Sequence, residues 1–131
     1  KHSENALKVA EWLEKQSQVA WVNYPGLKSS KYYDLSQKYL KNGQSGIVTF
    51  GLKGGFDSAK KLTDSTKIFS LLANFGDSKS LIIHPSSTTH QQLNEEQQKS
   101  TGVTSDLVRL SIGLEDPADL IDDLKNAIKS L

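Results

Sequence analysis

The chain has 131 residues and a net charge of +1, because 16 basic side chains nearly balance 15 acidic ones. Basic and acidic residues are interspersed, without the basic stripe of a nucleic-acid-binding protein. No apolar run approaches the roughly 20 residues of a membrane span. The absence of cysteine excludes disulfides, zinc–thiolate sites and thiol catalysis, and is compatible with a cytoplasmic protein. The length predicts one domain over residues 1–131.

The start of the chain and its lack of methionine predict that it is a piece of a longer protein. The sequence begins Lys-His-Ser-Glu and contains no methionine at all. It also lacks the apolar stretch of a signal peptide near its start. We therefore expect a piece of a longer protein.

The first half of the sequence alternates helical and extended patterns. Apolar residues recur at helical spacing near the start, where Ser3 is a candidate cap. Alternating apolar residues later in this half are typical of strands. The predicted elements are a helix over 3–16, a strand over Val19–Val22, a helix over 30–41, a strand over Ile47–Leu52 and a helix near 56–65.

The second half predicts further strands and two helices with recognisable starts. Asn94 and Gln97 have the spacing of a capping box, and Asp116-Pro117 has the cap and first-turn proline of a helix start. The predicted elements are buried strands at Ile68–Ala73 and Leu81–Ile83, a short helix from Asn94 to Gly102, a strand over Asp106–Asp116 and a last helix from Pro117.

This order predicts an α/β (α+β) two-layer sandwich. We expect an open, mixed or mostly antiparallel sheet with helices packed on one face. The other face of the sheet is then either solvated or docked onto another part of a longer chain.

Two histidines, His84 and His90, flank a run rich in serine and threonine. Helical metal-binding pairs lie three or four residues apart, whereas these two lie six apart and no cysteine is present. We interpret both histidines as hydrogen-bonding residues and predict no metal site.

Arg109 is the only arginine in the chain. In a strand over Asp106–Asp116, successive side chains point to opposite faces, so Val108, Leu110, Ile112 and Leu114 share one face and Leu107, Arg109, Ser111 and Gly113 share the other. A guanidinium binds a carboxylate or phosphate through two parallel hydrogen bonds, which lysine cannot reproduce. The pattern leaves two hypotheses open: an anion receptor, or an edge-strand arginine paired with one of the acids.

Two long segments of the second half resemble a known family. They are Asn74–His90, which contains Asn-Phe-Gly-Asp and Ser-Thr-Thr-His, and Gly102–Asp116, which contains Leu-Val-Arg-Leu-Ser-Ile-Gly-Leu-Glu-Asp. Both resemble the C-terminal domain of the Cys/Met-metabolism family of pyridoxal-phosphate enzymes. Three segments of the first half are similar to the same family: His2–Ala6, Val22–Gly26 and Gly46–Phe50. The resemblance implies the C-terminal domain of a fold-type I pyridoxal-phosphate enzyme.

Within that family, the pattern around Asn74 and Thr88 is similar to the O-acetylhomoserine sulfhydrylase branch. The synthase and lyase branches usually carry serine at the first of these positions and methionine at the second. The resemblance implies a transferase that replaces the acetoxy group of O-acetylhomoserine with sulfide, giving homocysteine and acetate. The alternatives are the same domain of cystathionine γ-synthase, cystathionine γ-lyase or methionine γ-lyase, a free-standing amino-acid-binding module, or a domain that serves only assembly.

The resemblance also implies roles for three residues. Arg109 matches the arginine that binds the substrate α-carboxylate, Asn74 matches a position whose polar groups approach that carboxylate, and Thr89 matches a threonine that supports the arginine. This match favours the receptor hypothesis for Arg109.

The residues that bind the cofactor belong, in the family, to the preceding domain. None of the lysines here matches the motif of the Schiff-base lysine. We therefore expect no catalytic and no cofactor-binding residue in this chain, no pyridoxal phosphate bound to it alone, and no activity without the rest of the protein. The resemblance implies a cytoplasmic enzyme that takes a small amino acid and is a homotetramer at full length.

Overall fold

Five helices, five strands and one short 3₁₀ segment make up the chain, whose computed structural model describes residues 1–131. None of the helices combines the length and the apolar character needed to cross a bilayer. The elements in order are α1 (His2–Leu13), β1 (Val19–Asn23), α2 (Tyr33–Tyr39), β2 (Ile47–Leu52), α3 (Gly55–Ser65), β3 (Ser70–Leu71), β4 (Leu81–Ile83), the 3₁₀ segment (Pro85–Ser87), α4 (Glu95–Ser100), β5 (Leu107–Ser111) and α5 (Pro117–Lys129).

The strands form one mixed sheet in the order β1-β2-β5-β4-β3. Neighbouring strands are antiparallel except β3 and β4, which are parallel. The predicted mixed sheet is confirmed. The strand that carries Arg109 is the central one, so the alternative hypothesis of an edge-strand arginine is wrong.

The core lies between one face of the sheet and helices α1, α3 and α5. On β5 and just beyond it, Val108, Leu110 and Ile112 alternate into this core and are at most 1% exposed. Helix α5 contributes its buried stripe at helical spacing, including Leu120 and Leu124. The two-layer architecture with helices on one face is therefore confirmed.

Both predicted helix starts in the second half are confirmed. The Asn94 side chain accepts a hydrogen bond from the Gln97 N–H while the Gln97 side chain accepts one from the Asn94 N–H. At α5, Asp116 Oδ1 accepts from the Ala118 N–H at 2.8 Å. These caps depend only on residues within one turn, which is why the sequence could specify them.

The first helix departs from its prediction at both ends. It begins at His2 and ends at Leu13, so Ser3 lies inside the first turn and is not its cap. His2 Nδ1 donates to Ile112 O at 2.7 Å, which fixes the start of the helix against the chain just beyond β5. The first residue of this helix is therefore held by a contact with a residue 110 positions away.

The predicted buried strand over Ile68–Ala73 is wrong for most of its length. Only Ser70 and Leu71 pair with β4, and Leu71 and Leu72 are 54% and 51% exposed. Just before the strand, the backbone N–H groups of Lys67, Ile68 and Phe69 donate hydrogen bonds to the Asp123 carboxylate on α5. Because these N–H groups bind the Asp123 side chain, β3 cannot pair with β4 further toward its N-terminal side.

The predicted strand over Asp106–Asp116 also ends early, at Ser111, and Leu114 is 47% exposed instead of sharing the buried face. Beyond the strand, the Leu114 N–H donates to Ser78 O at 2.8 Å. The Glu115 carboxylate accepts from both the N–H and the hydroxyl of Ser80, at 2.7 and 2.8 Å. These bonds turn the chain away from the sheet toward α5.

Candidate functional site

Arg109 lies at the centre of the sheet, on the face opposite the core helices. Its register partners are Thr49 on β2 and Ile83 on β4. The chain has a single ion pair, between the terminal amine and Glu4, so no acidic residue neutralises the guanidinium. The hypothesis that Arg109 pairs with an acid of this chain is therefore wrong.

The partly buried guanidinium borders a cleft of about 470 Å³. Burial lowers the pKa of Arg109 through desolvation, but an arginine remains a cation in the neutral range. No carboxylate and no lysine lines the cleft, whose lining mixes apolar residues such as Ile83 and Leu107 with polar ones such as Thr49 and Asn23. A lone cation in a cleft of mixed polarity without a competing carboxylate is suited to an anionic group carried on a small organic molecule.

Asn74 is brought to Arg109 through its backbone. Arg109 Nη2 donates to Asn74 O at 3.1 Å, whereas Asn74 Oδ1 accepts from the Phe75 N–H at 2.9 Å. The side-chain Nδ2 group makes no hydrogen bond within the chain and lies in an exposed turn. Asn74 thus contacts the guanidinium through its carbonyl, while its amide donor is unpaired within the chain.

Thr89 lines the same cleft as Arg109. Its hydroxyl hydrogen-bonds His90 Nδ1 at 2.8 Å, and no bond joins it to the guanidinium. The structure brings Thr89 to the cleft, while its support of Arg109 stays a prediction.

Thr49 is a cleft residue that the sequence argument did not single out. It faces Arg109 directly across the β2–β5 pair, and its hydroxyl makes no hydrogen bond within the chain. The signal was available in the alternation of β2, because Val48 and Phe50 point into the core and leave Thr49 on the open face.

The two histidines are hydrogen-bonding residues, as predicted. His84 is completely buried, where its Nε2–H donates to Ser105 O at 2.7 Å and its Nδ1 accepts from the Ser87 hydroxyl at 2.8 Å. Burial lowers the pKa of His84, which favours the neutral ring that these two bonds require. His90 shares its hydrogen bond with Thr89.

The sequence model of the family described as Cys/Met metabolism PLP-dependent enzyme matches residues 1–129. The chain belongs to this family. It is 54% identical over its whole length to an O-acetyl-L-homoserine sulfhydrylase of Leptospira meyeri and 51% identical over 98% of its length to O-acetyl-L-homoserine sulfhydrylase 1 of Thermus thermophilus. It spans only 30% of the length of either relative.

A solved structure gives the same result. The chain superposes with a TM-score of 0.90 and 51% identity on a Campylobacter jejuni crystal structure assigned as an O-acetylhomoserine (thiol)-lyase, which carries pyridoxyl-lysine monophosphate. The match covers 98% of the present chain and 30% of that one. The predicted fold and family are confirmed.

The cleft of this chain does not fit pyridoxal phosphate itself. A Schiff base needs a lysine amine, and the protonated pyridine nitrogen needs a carboxylate, yet the lining of the cleft contains neither. The lone guanidinium beside free hydroxyl and amide groups fits a carboxylate instead. The lining of the cleft therefore suits a carboxylate and lacks the groups that the cofactor of the family requires.

Proposed function

We propose that this chain is the C-terminal, substrate-carboxylate-binding domain of an O-acetylhomoserine sulfhydrylase. The whole enzyme would be a transferase that converts O-acetylhomoserine and sulfide into homocysteine and acetate, a step of methionine biosynthesis. The names of the relatives at 51% and 54% identity support this branch of the family over the synthase and lyase branches.

The observation that carries the proposal is the guanidinium of Arg109. It is central in the sheet, borders a cleft without any acidic residue, and is oriented by the carbonyl of Asn74 at 3.1 Å. The remaining guanidinium donors are free for two parallel hydrogen bonds to a carboxylate. The Thr49 hydroxyl is a further donor on the same face, and Thr89 also lines the cleft. The Asn74 amide is a further unpaired donor in the turn that contacts Arg109.

In this proposal the chain positions the substrate and performs no bond-making step. Holding the α-carboxylate at Arg109 fixes one end of the amino acid, which orients its reacting atoms toward the remainder of the enzyme. The residues for pyridoxal phosphate would lie in the domain that precedes this one in the complete protein. We place that enzyme in the cytoplasm as a homotetramer, on the resemblance alone.

The test is to replace Arg109 in the full-length enzyme that carries this chain. Removing one partner of a buried charged contact costs about 2–5 kcal/mol, so Arg109→Ala should raise the KM for O-acetylhomoserine about 30-fold to several thousand-fold. Arg109→Lys should recover only part of this loss, because an ammonium cannot form the paired bonds. The assay is sulfide-dependent formation of homocysteine.

A matched control is Lys125→Ala, which removes an exposed cation from α5 on the other side of the sheet. It should leave the KM unchanged. A KM that stays at the wild-type value in Arg109→Ala would contradict the proposed function.

A further inference from the structure

The turn at Asn74–Gly76, which supplies the carbonyl bonded to Arg109, buries little apolar surface. Phe75 is 70% exposed and the preceding Leu72 is 51% exposed. Gly76 adopts a φ of +75°, a conformation that favours glycine. The position of this turn therefore depends on polar contacts from the rest of the molecule.

Two side chains of β5 provide those contacts. Arg109 Nη2 donates to Asn74 O at 3.1 Å, and the Gly76 N–H donates to the hydroxyl of Ser111 at 3.2 Å. Arg109 and Ser111 are two residues apart on one strand, so both side chains lie on the same face. Together they hold the two ends of the three-residue turn.

Ser111 is the better fixed of the two. It is only 2% exposed, and its backbone is in register with Ile47 on one side and Leu81 on the other. Its hydroxyl is therefore a stationary acceptor, whereas Arg109 has a long side chain with several rotatable bonds. Once Gly76 is held by Ser111, the carbonyl of Asn74 has a defined position from which to accept the guanidinium.

Building on the carboxylate-binding role proposed for Arg109, we propose that Ser111 is a positioning residue for substrate binding. Its hydroxyl accepts from the Gly76 N–H and fixes the Asn74–Gly76 turn. The Asn74 carbonyl then holds one edge of the Arg109 guanidinium, so that the free edge faces the carboxylate of the substrate. Ser111 acts through Arg109 and makes no contact with the substrate.

The experiment is a double-mutant cycle in the full-length enzyme, read as the KM for O-acetylhomoserine. Ser111→Ala should raise the KM about three- to tenfold, as expected for one net hydrogen bond, and leave kcat within about twofold. Ser111→Thr keeps the hydroxyl and should restore the KM. In an Arg109→Ala background, Ser111→Ala should change the KM no further, because the residue through which it acts is gone.

A matched control is Ser36→Ala on α2. Ser36 is also a buried serine, 4% exposed, and its hydroxyl donates to Pro25 O at 2.8 Å outside the cleft. This variant should lower thermal stability without changing the KM. It separates the loss of a buried hydroxyl in general from the loss of the contact with Gly76.

Three results would overturn the positioning role of Ser111: an unchanged KM in Ser111→Ala, an equal rise in Ser111→Ala and Ser111→Thr, or the same rise with and without Arg109. All three leave the proposed function standing as long as Arg109→Ala alone raises the KM. If Arg109→Ala alone leaves the KM unchanged, the proposed function itself is contradicted, and the role of Ser111 with it.

Discussion

Asp123 provides a demanding test of how this fold is held together. The carboxylate is buried and accepts three consecutive backbone N–H groups: Lys67 at 2.9 Å to Oδ1, and Ile68 and Phe69 at 2.8 and 3.3 Å to Oδ2. It joins α5 to the chain between α3 and β3. Asp123→Asn keeps the size of the side chain and replaces one acceptor oxygen with a donor.

The free energy lost in Asp123→Asn can be estimated from those three hydrogen bonds. Two amides retain a neutral acceptor and lose about 1 kcal/mol each, because bonds to a charged group are stronger than neutral ones by roughly that amount. The third amide faces the new NH₂ group, and an unsatisfied buried donor costs about 1–3 kcal/mol. After local relaxation we expect a loss of about 3 kcal/mol in the free energy of opening this segment.

Hydrogen exchange measures that free energy at the amides themselves. A loss of about 3 kcal/mol should speed exchange at Lys67, Ile68 and Phe69 about 100-fold, since 1.4 kcal/mol is a factor of ten. Asp122→Asn, on the exposed side of the same helix, is the control and should leave these rates unchanged. If exchange in Asp123→Asn stays within about threefold of wild type, the carboxylate does not hold this segment and the reasoning is refuted.

Three further substitutions test other parts of the fold. A Cβ added at Gly51 would overlap Trp21 Nε1 and Asp106 Oδ2. Gly51→Ala should therefore break the 2.9 Å hydrogen bond between those two side chains and shift tryptophan fluorescence. It should also lower the free energy of unfolding by about 1–3 kcal/mol. Burial raises the pKa of Tyr24 to about 12, so the folded chain should lose stability as pH rises from about 10 to 12, and Tyr24→Phe should remove that loss in denaturant titrations. Burial lowers the pKa of His84, so stability should fall as pH drops below about 6.5, and His84→Gln should reduce that fall in melting temperature. A wild-type pH profile in either variant would contradict the corresponding assignment.

The features that the sequence predicts well depend on a few neighbouring residues. Strand β2 has the predicted bounds because its alternation of apolar residues is complete within six positions. The capping box at Asn94 and the cap at Asp116 likewise involve partners two or three residues away. Local propensity and tertiary structure agree at these places, so pattern alone is sufficient.

The features that the sequence misses depend on distant partners. The strand expected over Ile68–Ala73 lacks its first two residues because Asp123, more than fifty positions away, accepts hydrogen bonds from the backbone N–H groups of Ile68 and Phe69. At the candidate site, the sequence identifies Arg109 but not its place in the central strand. It also assigns polar groups of Asn74 to a substrate carboxylate, and does not predict that the Asn74 carbonyl accepts a hydrogen bond from Arg109. Both are consequences of sheet order and loop geometry, which no local pattern encodes.

The most direct test of the central claim compares O-acetylhomoserine with its α-carboxamide analogue, in the wild-type full-length enzyme and in Arg109→Ala. If Arg109 binds the carboxylate, the amide should lower kcat/KM about 100-fold in the wild type, in line with about 3 kcal/mol for a charged contact, and less than about threefold in Arg109→Ala. An equal loss in both enzymes would mean that the carboxylate is recognised elsewhere and would contradict the account.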